Sequence, residues 1–119
     1  MKASPAYRAV AELERRAAAR LAAAEAKLAH LTRDKQTLVA CHVRARQSML
    51  ASSQWGSLEC QALTAHMAWV AAAAARISDA QRHETGNRVT VARERVHWAR
   101  CRIGLERRAR RHVPRTWPD

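Results

Sequence analysis

A chain of 119 residues with a net charge of +12, from 22 Lys plus Arg against 10 Asp plus Glu, favours an anionic partner: nucleic acid, a membrane surface or an acidic protein. It has three glycines and three prolines, and Pro5, Pro114 and Pro118 lie near the ends, so the interior is nearly free of helix breakers. The sequence has no Walker A, GxGxxG or GxSxG motif and too few glycines for a phosphate-cradling loop, and the lack of Phe argues for packed helices with little deep core.

The first helix opens at "SPAYRAVAEL". Ser4 is a good N-cap and Pro5 a good first helical residue, because proline lacks the N–H that would be unpaired there. From Tyr7 a register runs through Val10, Glu14, Ala17, Leu21, Ala24, Leu28, Leu31, Lys35, Leu38, His42, Ala45 and Met49. Steps alternating between three and four predict a coiled-coil helix over about 5–51, with Glu14, Lys35 and His42 as polar intrusions in the seam. Such a stripe is not buried by one helix alone, so a partner helix is required.

"ASSQWGSLEC" is the best break in the chain, with a turn expected at about 52–57 and Ser57 placed to cap a second helix over about 58–112. The second stripe reads Leu63, His66, Val70, Ala73, Ile77 and Ala80, then is interrupted at Glu84 and Asn87. Gly86 costs about 1 kcal/mol in a helix interior, which a long hairpin tolerates. The expected fold is therefore all-α: a long antiparallel two-helix coiled-coil hairpin spanning 1–119 as one unit, with a tail at 113–119. The alternative is a three-helix arrangement with a break near 83–87. The most apolar run, residues 62–77, is too short to span a bilayer and carries His66 and Arg76. Charges also interrupt the first residues before any apolar signal core forms, so no signal peptide and no membrane insertion are expected.

The stretch "RVTVARERVHWARCRIGLERRARRH" carries two apolar rows. Val91, Trp98 and Leu105 continue the hairpin seam. Val89, Val96 and Ile103 lie on nearly the opposite side at 100° per residue. One row faces the first helix, and the other is left for a different partner. Arginines spread around the helix, with Arg93, Arg100 and Arg107 in one row, whereas a DNA-reading helix needs one basic face and one apolar face.

Candidate chemistry is sparse. Among six histidines and three cysteines, only His97 and Cys101 sit at i,i+4 ligand spacing, and a structural zinc site needs four ligands. The acids are scattered without an obvious catalytic pair. No catalytic residue, metal or cofactor is expected, and the chain reads as a non-enzyme. Cys41, Cys60 and Cys101 form no CxxC pair, which fits a reducing cytosol. Trp55 at the hairpin tip is a candidate contact, because tryptophan is enriched in interface hot spots.

Two segments carry a resemblance. "YRAVAELERRAAARLAAAEAKLAHLTRDKQTL" (residues 7–38) and "ETGNRVTVARERVHWARCRIGLERRARR" (residues 84–111) resemble the two helices of the YscO/FliJ family, the stalk proteins of type III secretion and flagellar export. The resemblance lies in pattern, length and charge. It implies a cytoplasmic bacterial central stalk that binds the hexameric secretion ATPase ring and an export gate protein, with secretion chaperones as further partners. On that reading the partner-binding residues are Val89, Val96, Ile103, Arg93, Arg100, Arg107, Arg108, Arg110, Arg111 and Trp117. A basic nucleic-acid-binding helix, or a generic coiled-coil adaptor or homodimer, are the alternatives.

Overall fold

The computed structural model describes residues 4–51 and 56–111 and is an all-α hairpin of two long antiparallel helices, α1 (Pro5–Ala51) and α2 (Ser57–Arg111). The α1 N-terminus forms as its residues dictate. Ser4 Oγ accepts the Tyr7 N–H at 3.1 Å, satisfying one of the orphan donors of the first turn. At α2 the cap differs from expectation. Ser57 is the first helical residue, and Gly56 precedes it at the cap, where its N–H donates to Glu59 Oε2 at 2.9 Å. This is the carboxylate half of a capping box, so the cap belongs to Gly56 and Glu59 and not to the Ser57 hydroxyl. No break occurs at 83–87: α2 stays helical through Gly86, at which an added Cβ would meet nothing within 4 Å. Among the described residues, no helix is long and apolar enough to cross a membrane.

Burial follows the spacing of the residues. In α1 from position 19 onward, the side chains that are not exposed are Leu21, Ala24, Leu28, Leu31, Lys35, Leu38, His42, Ala45 and Met49. This 3–4 alternation is that of a coiled-coil seam. The polar seam positions are each met by a polar group from α2, within one or other of two compact units.

One unit comprises Met1–Ala24 and Asn87–Asp119. Its core holds Ala17, Ala24 and Val91, and Val91 is only 1% exposed. Two alanines at seam positions leave room for α2 to approach closely, which is why one valine is fully enclosed there. Trp98 and Leu105 are half-buried on the same side of α2. Glu14 meets Arg102 in this unit, and Arg20 Nη1 reaches Glu94 Oε2 at 2.7 Å.

The second unit is Glu25–Gly86. Lys35 Nζ donates to Ser78 Oγ at 3.1 Å, and the His42 and His66 rings stack with centroids 5.4 Å apart. Leu63, Val70 and Ile77 are half-buried. Glu84, which reads in the sequence as an interruption of the α2 stripe, is 5% exposed, and its Oε2 lies 3.3 Å from Lys27 Nζ. The seam therefore passes through Glu84 as a buried carboxylate with a cationic partner, and an ion in that setting needs such a partner. The Glu14–Arg102, Lys35–Ser78 and Lys27–Glu84 pairs fix one register between the two helices, since a slip would leave each of them unpaired.

Candidate partner-binding face

In the first unit, α2 presents opposite sides to α1 and to solvent. Val91 is enclosed against α1. Two residues away on the helix, at about 200° of rotation, the other row is open: Val89 is 43% exposed, Val96 49% and Ile103 39%. A shallow groove of about 530 Å³ runs along this outer face. Val89, Ala92 and Val96 give it an apolar floor, and Arg88, Arg93, Arg100 and His97 form its rim. Arg93 and His97 also border a second groove of about 550 Å³, which Leu13, Arg20, Glu94 and Trp98 line on the α1 side.

The electrostatics of the face follow from where the acids go. Between Asn87 and Arg111 the chain has nine arginines and two acids, Glu94 and Glu106. Both acids are committed to the hairpin. Glu94 accepts from Arg20, and Glu106 accepts from the Tyr7 hydroxyl at 2.9 Å and from Arg102 Nη1 at 2.9 Å. The Tyr7 hydroxyl first, and Arg102 second, hold the Glu106 carboxyl below the usual carboxylate range. Hydrogen bonds from Arg102 to Glu14 and then Glu106 raise the guanidinium further above its ordinary value, so it is charged throughout the accessible pH range. Arg88, Arg93, Arg95 and Arg100 make no ion pair among the described residues, and all are exposed. An outer face with apolar floor and uncompensated guanidinium rim can take an acidic, partly apolar surface.

Arg107, Arg108, Arg110 and Arg111 are exposed at the end of α2, where cations interact favourably with the helix dipole. Part of this arginine cluster therefore has a local structural reason. Arg102 stands apart from the outer arginines, because it is turned into the seam. The four-residue network of Tyr7, Glu14, Arg102 and Glu106 escaped sequence reasoning. Its available signals were the i,i+4 spacing of Arg102 and Glu106 and the carboxylate at a seam position of α1.

Trp55 and Trp117 lie outside the described residues, as do residues 52–55 of the turn expected at about 52–57 and the tail. His97 and Cys101 do meet, with Nε2 and Sγ 3.8 Å apart, but no group of three or more His, Cys, Asp or Glu that could hold a metal occurs among the described residues. The chain matches no protein-family model, and no curated protein or solved structure shows significant similarity to it.

Proposed function

We propose that this protein is a non-enzymatic coiled-coil interaction element whose α2 outer face docks an acidic protein surface, and that its partner is the hexameric ATPase of a type III secretion export apparatus. The observation that carries the reading is the pairing of an enclosed Val91 with exposed Val89, Val96 and Ile103 beside arginines that make no ion pair among the described residues. A helix already held on one side needs no second apolar row for its own fold. An exposed row of this kind marks an interaction surface. The resemblance to the YscO/FliJ stalk proteins supplies the ring, the export gate and the chaperones as candidate partners in the bacterial cytoplasm. Within the ring, Arg93, Arg100 and Arg107 would meet acidic loops, and Val96 and Ile103 their apolar neighbours.

The test is to mix the full chain with the secretion ATPase and follow ring assembly and ATP hydrolysis. The proposal expects both to rise. No change in either, together with tight DNA or RNA binding that fades steeply with salt, would replace it with the nucleic-acid reading.

A further inference from the structure

His42 and His66 occupy facing seam positions in the second unit, one on each helix. Their rings are 28° from parallel, with centroids 5.4 Å apart. His42 Nδ1 and His66 Nε2 are both buried, and neither has a hydrogen-bond partner among the described residues. An unsatisfied buried nitrogen is costly, and two of them beside one another point to a shared ligand. No carboxylate is available to serve as that ligand. The sequence has no Asp or Glu from Lys35 to Ala51 or from Cys60 to Ser78. Trp69 stacks on His66 with centroids 6.3 Å apart and braces its ring. Both histidines are only half-buried, so a small solute has a way in.

We propose that His42 and His66 form a two-imidazole site for a borderline divalent transition ion of the Zn2+ class, clamping α1 to α2 within this unit. Neutral imidazole nitrogens suit Zn2+, Ni2+ and Cu2+ and do not suit Mg2+ or Ca2+. Each imidazole would bind the ion through its in-plane nitrogen lone pair, with a metal–nitrogen bond of about 2.0–2.1 Å, so both rings turn their unpaired nitrogens toward it on binding. With two protein ligands, water fills the remaining positions, so the ion exchanges with solvent and is not a permanent structural metal. Binding to the folded hairpin alone stabilises it by mass action.

The experiment is calorimetric titration of Zn2+ into the full chain carrying His30→Ala and His97→Ala, which removes the surface pairs His30–Asp34 and His97–Cys101. We expect saturable binding and a Zn2+-dependent rise in Tm. Adding either His42→Gln or His66→Gln should lower the affinity at least about tenfold and abolish the Tm rise, with helical content unchanged by circular dichroism. Affinity and Tm shift that persist in both variants would overturn the site. Imidazole 15N spectra of the unsubstituted chain give a readout free of folding effects. Zn2+ should move His42 Nδ1 and His66 Nε2, and shifts confined to other histidines would equally overturn it.

Discussion

Arg102 grips Glu14 with two nitrogens across 88 positions of sequence: Nε lies 2.5 Å from Oε2 and Nη2 lies 3.4 Å from Oε1. The same guanidinium holds Glu106, which in turn accepts the Tyr7 hydroxyl. One arginine thus joins both helices of this unit near their ends. Arg102→Ala would leave Glu14 in the seam without its cation. Its expected effect is a Tm lower by a few degrees, with α1 fraying first near Tyr7 by hydrogen exchange. An exposed control, Arg95→Ala, should leave both readouts unchanged.

The pH dependence follows from Glu106. Its folded pKa is depressed, so the stabilisation is present above the unfolded value of about 4.3 and is lost as pH falls through the folded value. Thermal melts taken at stepwise lower pH should show Tm falling below about pH 4.3. Tyr7→Phe removes the largest cause of the shift and should shallow that fall. An identical pH profile for the variant would count against the network.

The seam and the outer face differ in what they contribute to folding. Val91→Ala removes buried methyl groups and leaves a cavity, so it should cost about 2 kcal/mol in denaturant unfolding. Val96→Ala should lie within about 0.5 kcal/mol of the unsubstituted chain, since its side chain is half exposed to solvent. Equal costs for the two would mean that the two rows do not differ in their contribution to folding.

Much of the hairpin was legible because helical burial leaves a periodic trace. The 3–4 spacing from Tyr7 to Met49 marks the side of α1 that turns inward, polar members included. Glu84 reads in the sequence as an interruption of the stripe, because a carboxylate in a seam looks out of place until its partner is known. That partner, Lys27, lies on the other helix. The pairing of Arg102 with Glu14 was hidden for the same reason, since register between antiparallel helices is a tertiary quantity. The cap at Gly56 was missed because glycine signals a break and gives no hint that Glu59 reaches back to its N–H. On the candidate face, the rows were readable from spacing alone. The commitment of both local acids to the hairpin was not, although it is why the outer arginines make no ion pair among the described residues.

Overpacking tests the close approach of the helices. Ala17 is 1% exposed and Ala24 is 2% exposed, so neither has room for a larger side chain. Ala24→Leu should destabilise the protein by about 1–3 kcal/mol, read from the denaturation midpoint at constant m-value. A neutral result would mean that the helices separate there without cost.

Gly86 offers the opposite sign. It is helical and exposed, and a Cβ there meets nothing within 4 Å. Gly86→Ala should stabilise the protein by about 1 kcal/mol, chiefly through the entropy of the unfolded chain. Thermal and denaturant unfolding should agree on the gain. A loss of stability would indicate that α2 needs the backbone freedom of glycine at this position.

The most direct measurement of the central claim is the affinity of the full chain for the secretion ATPase, compared between the unsubstituted protein and Val96→Asp/Ile103→Asp. Both changes place carboxylates on the exposed row and should leave helical content and Tm nearly unchanged. Affinity is expected to fall at least about a hundredfold, roughly 2.7 kcal/mol, while the hairpin stays folded. Unchanged affinity in a folded variant would contradict it and remove the outer face of α2 as the docking surface.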